Sequence, residues 1–404
     1  MRVIPVRPSL GTALLALAPL ASCSVRPVVA PAAPAPPVVG SNTLLVRLGA
    51  DTLAVEQYTR TSTRMEGVIV QRTPFTTIAR YSVELGANAT PSRAEYSLRR
   101  ADGGAVAGAL QSLSVRYGAD SVTFIGHRTS GDTTRTATLR GELVPYLNGS
   151  YALFELPIAR LRATRRDSAE FALVPLNFGV RGTSPLPIRL TAADAARISW
   201  FTYPLFATLD LRGTITSIDG SQTTVKVRVD RVAQTDLDTL ASRWAARDVA
   251  TGPSGPMSTR DTVRATLGRA HVWVDYGRPA LRGRDVWTRG VLGDTIWRTG
   301  ANAATQLDTD APLAIGGTTI PAGRYSLWTA TTPSGYRLVV NRQAGQWGTE
   351  YHADRDLARI PLRESATPAP VERFTIDLTT QGASDGALTL AWGSKLLSVP
   401  ISAK

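Results

Sequence analysis

Thr76-Thr77-Ile78-Ala79-Arg80-Tyr81-Ser82-Val83-Glu84-Leu85 decides the fold class. Ile78, Tyr81, Val83 and Leu85 mark an imperfect apolar side with a period near two, the pattern of a half-buried strand and not of a helix. Similar short runs stand on both sides of it: Thr43–Leu48, Thr52–Thr59, Arg64–Gln71, Arg93–Arg99, Gln111–Tyr117, Ser121–Arg128 and Thr133–Leu139. Gly49-Ala50-Asp51, Gly86-Ala87-Asn88 and Ala101-Asp102-Gly103-Gly104 punctuate them. Repeated short strands with short polar turns indicate an antiparallel meander. With 43% hydrophobic residues the chain can bury a sizeable core, and 404 residues suffice for two domains.

Further along, residues 141–200 are less regular. Thr191-Ala192-Ala193-Asp194 fits a capping box and predicts a short helix through about Ile198. Strands Phe206–Leu211, Gly213–Ile218 and Thr223–Val232 follow, with Asp219-Gly220 as a turn. Residues 40–235 therefore read as one antiparallel β-rich domain, a strongly curved sheet or partial barrel. Such a shape suits either a packed scaffold or a cradle for an apolar ligand or lipid. Over Thr235–Val249, Leu237, Leu240, Ala241, Trp244 and Ala245 form one helical stripe behind a capping Asp236. Residues 236–260 are thus a linker helix and loop.

The amino terminus reads as an address. Arg2 and Arg7 precede a short apolar run, Leu10–Leu20, and small residues follow, as in a secretory signal over residues 1–22. The run is shorter than the roughly 20 apolar residues that span a bilayer. Leu20-Ala21-Ser22-Cys23 resembles a bacterial lipobox. The resemblance implies cleavage before Cys23, which would carry acyl chains; several chains on one residue anchor stably where one does not. Cys23 is the one cysteine of the chain, so no intramolecular disulfide forms. Ser24, where an inner-membrane retention signal has Asp, favours the outer membrane, facing the periplasm or the cell surface. Residues 23–39 form a Pro/Ala-rich tether suited to polyproline II.

The formal charge is +13, and of 45 basic residues only Lys226, Lys395 and Lys404 are lysines. The arginines are dispersed, which favours solvated strand faces over one anion-binding surface. An exported chain would not meet the cell's chromosome, so nucleic acid is not an expected partner. His127, His271 and His352 lie far apart, and no metal or cofactor is expected.

In the last third, four motifs follow in order. They are Ala270-His271-Val272-Trp273-Val274-Asp275-Tyr276-Gly277-Arg278-Pro279-Ala280-Leu281-Arg282-Gly283-Arg284, then Ile296-Trp297-Arg298-Thr299-Gly300-Ala301-Asn302-Ala303-Ala304-Thr305, then Ile320–Trp328, then Asn341–Gly348. Together they resemble the DUF2911 family, a bacterial domain of unknown function, over about residues 262–404. Thr288–Asp294 departs from the family's usual Pro-containing loop. The residues themselves, over 261–404, spell about eight short strands and a β-sandwich or jelly roll.

Within this region Arg298 offers a planar fork of donors, Asn302 both donates and accepts, and Gly300 lets a backbone approach. Trp297, Trp328 and Trp347 are candidate stacking faces for a glycan, and Tyr276, Arg278 and Arg284 candidate neighbours. The alternative is structural: buried tryptophans, and arginines pairing with Asp275, Asp285 or Asp294. No G-x-S-x-G elbow, P-loop or H-E-x-x-H is present, and Asp354-Arg355-Asp356 looks like a solvated loop. Three functions follow as expectations. The first is a membrane-anchored lipoprotein that binds a polar or anionic envelope component such as a glycan. The second is a hydrolase of an envelope polymer, with Asp275 or Asp294 near the arginines. The third is an apolar-ligand or lipid carrier built on the first domain.

Overall fold

The computed structural model describes residues 39–177, 183–200, 203–288 and 296–404. The signal segment, Cys23, nearly all of the tether and Asp294 lie outside the described residues.

The chain opens as a meander: β1 (Val39–Leu48), β2 (Asp51–Arg60), β3 (Arg64–Gln71), β4 (Thr77–Leu85), β5 (Pro91–Arg100), β6 (Leu110–Tyr117), β7 (Ser121–Arg128) and β8 (Gly131–Thr138). Each pairs antiparallel with its sequence neighbour. After β9 (Glu142–Tyr146) and the helix α1 (Glu155–Ala163), a second meander runs through β10 (Ser168–Pro175), β11 (Ser184–Ala192), β12 (Ala195–Trp200), β13 (Tyr203–Leu209), β14 (Ile215–Asp219) and β15 (Val227–Val232). The two halves join where β1 pairs with β15, giving among the described residues one sheet ordered β8 to β1 and then β15 to β9. Its outermost strands, β8 and β9, are consecutive in sequence yet pair with β7 and β10 and not with each other, so the sheet curls without closing.

Alternation aims Val122 and Phe124 of β7, Leu113 and Val115 of β6 and Tyr81 and Val83 of β4 at one core. The same core takes in α1, of which Glu155, Leu156, Pro157, Ile158, Ala159, Leu161 and Ala163 are buried. A helix apolar on nearly every side belongs inside, and α1 fills the concave side of the sheet. This corrects one expectation. The helix of this region is α1, whereas Ala193-Asp194 sits in the turn between β11 and β12, beside a register shift. Leu153 and Phe154 pack with α1 in the same core.

The linker helix α2 (Leu237–Thr251) starts where its cap predicts: Asp236 accepts from the backbone N–H groups of Asp238 (3.1 Å) and Thr239 (3.0 Å). Its stripe of Leu237, Leu240 and Ala241 covers Val55, Val70 and Ile78 on the outer face of the sheet. Asp248, near its end, accepts from the N–H and hydroxyl of Thr76, both at 2.7 Å.

The C-terminal region is a sandwich. One sheet contains β16 (Ser258–Leu267), β17 (Ala270–Pro279), β18 (Ile296–Trp297) and β19 (Thr305–Thr309). Between β19 and the rest of that sheet, β20 (Leu313–Ile315) and β21 (Thr318–Ile320) cross to the other one. The first sheet resumes with β22 (Gly323–Thr332), β23 (Gly335–Asn341) and β24 (Asp356–Pro361). The long hairpin β25 (Arg363–Gln381) and β26 (Asp385–Ala403) completes the second sheet with β20 and β21. Val272, Val274 and Leu327 from one sheet meet Ile376, Leu390 and Val399 from the other in a shared core.

Candidate functional site

The region around Trp297–Asn302 is built first by close backbone approach. A Cβ on Gly277 of β17 would lie 2.7 Å from Ala301 N and closer still to its carbonyl oxygen. A Cβ on Gly300 would lie 2.9 Å from Gly277 O, and one on Gly348 would lie 2.5 Å from Asn302 O. Three motifs thus cross at three glycines. Thr299 (φ +49°) and Asn302 (φ +65°) adopt the left-handed conformation that the crossing needs; asparagine tolerates it, a threonine rarely does. Thr299 is held there by a 2.8 Å contact to the Thr329 hydroxyl and by the Thr305 hydroxyl, which donates to its carbonyl at 2.7 Å.

The eight candidate residues separate by environment. Tyr276 is buried, donates to Ile376 O (3.2 Å) and meets Phe374 edge-on. Trp297 is buried and stacks on Trp392 at 5.6 Å. Trp328 is buried in a different cluster, with Ala304 and Val339, where its Nε1 donates to Ser326 Oγ and Tyr351 covers its ring. These three lie within the fold and present no shared stacking face. Arg278 is committed to Asp261 (2.9 Å), Phe374 O (3.2 Å) and Thr375 Oγ1 (3.0 Å). Arg284 reaches the first domain, donating to Thr224 O (3.1 Å) and Val225 O (3.3 Å) as well as to Leu281 O (2.9 Å). Burial, reinforced by the neighbouring Arg282 charge, lowers its pKa to about 10.

Arg298, Asn302 and Trp347 remain together. The Arg298 stem packs on Gly348, next to Trp347, and Gly348 N donates to Asn302 O at 2.9 Å. Trp347 is 51% exposed, and Asn302 is exposed. Burial lowers the pKa of Arg298, and Tyr203 of the first domain acts in the opposite sense. Among the described residues its guanidinium makes no ion pair, in contrast to Arg278. A guanidinium can take a planar anion or a sugar acid edge-on, and an exposed indole can cover an apolar sugar face.

The carboxylates do not converge. Asp275 pairs with Arg260 (2.9 Å) on an exposed strand face, and Asp285 accepts from Trp287 N. Asp356 is tied to Tyr351 (2.7 Å), Asn341 (2.9 Å) and Arg359. His127 and His271 each contact one aspartate at 2.7 Å, and among the described residues no group of three or more His, Cys, Asp or Glu could hold a metal.

Two buried arrangements were missed in the sequence reading. Arg282, nine-tenths buried, donates to Ser254 O (2.7 Å) and Gly255 O (3.1 Å), and its own carbonyl abuts Gly49. With Arg284 it clamps the two regions together. Inside the first domain, Glu56 and Glu155 anchor the α1 segment. Glu56 accepts from Tyr81 (2.8 Å), Ser150 (2.5 Å) and the N–H groups of Tyr151 (2.8 Å) and Ala152 (3.1 Å). Glu155 accepts from Arg60 (3.0 Å), Ile215 N (2.8 Å) and Tyr58. The spacing of Glu56, Tyr58 and Arg60, two residues apart on one strand, was the cue available.

With that geometry in place, comparison with known proteins is informative for one region. Residues 258–401 match DUF2911, a protein family of unknown function. The three-glycine crossing and the Arg282–Arg284 clamp lie within the matched residues. No curated protein matches the chain. A solved structure of a DUF1089 family protein from Pseudomonas aeruginosa aligns with 12% identity over 42% of this chain and 90% of that one, with a TM-score of 0.31. That likeness is too slight to bear on fold or function. Among the described residues no helix is long and apolar enough to cross a membrane.

Proposed function

We propose that the protein is an exported lipoprotein, anchored through Cys23, whose DUF2911 domain binds a polar or anionic envelope component, a glycan in particular. The observation that supports a binding role is the set Arg298, Asn302 and Trp347. Arg298 is desolvated without an ion pair to a described residue, its stem lies against Gly348, and Trp347, the residue before that glycine, is left half in solvent. Desolvating a guanidinium has a cost that an incoming carboxylate or phosphate offsets. Anchoring rests on the signal-like segment and the placement of the single cysteine.

Two experiments test the two halves separately. In a pulldown on acidic envelope glycans, Arg298→Ala is expected to lower retention at least tenfold with the unfolding temperature unchanged, the size of one charge-assisted contact pair, about 1.5–3 kcal/mol. Equal retention would remove this site. For the anchor, Cys23→Ser is expected to move the protein from the membrane pellet to the soluble fraction, and unchanged pelleting would refute lipidation there.

A further inference from the structure

The chain enters the curved sheet at one rim, at Gly40, Ser41 and Asn42 of β1. A hollow of about 380 Å³ joins this entry to the turn between β13 and β14 and to Arg231. The turn, Asp210-Leu211-Arg212-Gly213, is rigidly built. Asp210 accepts from the N–H groups of Arg212 and Thr214, both at 3.0 Å, and Gly213 N donates to Asp210 O at 2.9 Å. At its tip Leu211 is 99% exposed. Turn tips favour Gly, Asn, Asp, Ser and Pro, and this turn instead holds a leucine side chain in water, a cost that burial in an apolar medium would remove. Arginines flank the turn: Arg212 is exposed, Arg231 pairs with Asp210 at 2.8 Å, and Arg162 packs against Gly213 while donating to Ala193 O.

This rim faces away from the DUF2911 domain. The other end of β1 leads into Gly49 and Asp51, which contact Arg282. Ten residues of strand place the two ends about 30 Å apart. Between Cys23 and the sheet, the Pro/Ala segment can reach on the order of 50 Å if extended, so an anchor alone leaves the body's orientation open.

We infer that this rim docks on a phospholipid surface, with Leu211 entering the acyl boundary and Arg212 and Arg231 meeting lipid phosphates. An apolar tip inside a guanidinium collar suits that interface, where arginine stems lie along apolar surface and their heads reach phosphate. The inference deepens the anchored-lipoprotein reading and rests on it for the position of the membrane. Docking would hold the Arg298 face outward, toward the envelope space.

A fluorophore at Leu211→Cys tests it in the full chain, with Gln381→Cys, on an exposed hairpin of the DUF2911 domain, as reference. Lipidated protein is reconstituted in vesicles of phosphatidylethanolamine and phosphatidylglycerol. Position 211 is expected to show a blue-shifted emission, several-fold quenched by lipid-borne quenchers, while position 381 shows neither. Emission at 211 that stays as in buffer, on protein that co-sediments with the vesicles, would overturn docking and leave anchoring intact. A blue shift without vesicles that grows with protein concentration would mean self-association and also overturn it. The mass of the N-terminal peptide reports lipidation independently. If that mass is absent, the same label in a Cys23→Ser background decides: a vesicle-dependent shift supports docking, and none overturns it.

Discussion

Gly277→Ala is expected to destabilise the C-terminal sandwich by about 3–5 kcal/mol, among the largest effects a single substitution produces. The added Cβ would stand 2.7 Å from Ala301 N and nearer to the Ala301 carbonyl oxygen. Both are backbone atoms, so no rotamer change relieves the overlap; either β17 or the 299–302 turn must move. The turn has little freedom, since Thr299 is already strained and fixed by Thr329 and Thr305. Moving it would also draw Trp297 away from Trp392 and Phe374. Chemical denaturation followed by tryptophan fluorescence reports on this region, because six of the eight tryptophans lie beyond residue 270. Gly40→Ala, where a Cβ meets nothing within 4 Å, serves as the control and should change stability by less than about 0.5 kcal/mol. A Gly277→Ala protein as stable as the control would mean that the crossing is loose and that the glycine answers to something other than packing.

The same crossing explains what could be read from sequence and what could not. Strands with an apolar side were legible nearly to the residue: β3 and β7 have the bounds that alternation predicts. So was α2, with both a stripe and a capping aspartate. Helix α1 was not, because nearly all its residues are buried and a helix without a polar face has no stripe to detect. Thr191–Asp194 misled because the residues that cap helices also make hairpin turns. In β2 the inward positions include Glu56 and Arg60 beside Ala54 and Tyr58, and Val55 on the opposite face is covered by α2, so hydrophobic alternation alone does not tell which face meets the inner core. Around Trp297–Asn302 the residue types suit a glycan site, yet Trp297 and Trp328 belong to two clusters in the fold, Arg278 is bound to Asp261, Phe374 O and Thr375, and Arg284 to backbone carbonyls. Residue type reveals that a guanidinium or an indole is needed; only the contacts reveal whether protein already satisfies it. Arg298 and Trp347 differ from the others in that respect alone.

Arg60→Ala is expected to cost about 3–5 kcal/mol at pH 8 and distinctly less at pH 5. Arg60 is 1% exposed and Glu155 is fully buried, and they meet at 3.0 Å. Burial raises the Glu155 carboxyl to about 7, against the opposing pull of Arg60, Tyr58 and Ile215 N. Glu56, also buried, is raised in the same direction. The folded protein therefore holds protons that the unfolded chain releases near pH 4.5. Stability is highest below that value, falls as pH rises toward 7, and levels off above it. For Glu155 alone the fall amounts to about 3 kcal/mol. Removing Arg60 takes away the charge that favours the ionised carboxylate, so Glu155 titrates higher and the penalty keeps growing above pH 7. Near pH 5 the carboxyl is already neutral, and the loss reduces to packing and a hydrogen bond. Denaturant unfolding across pH 4.5 to 8.5 measures both slopes, with Glu155→Gln as the partner variant, which should flatten much of the wild-type fall and leave the part due to Glu56. Equal Arg60→Ala penalties at pH 5 and pH 8 would show that Glu155 stays ionised throughout. The α1 segment would then be held by a permanent ion pair and not by a carboxyl that exchanges its proton within the core.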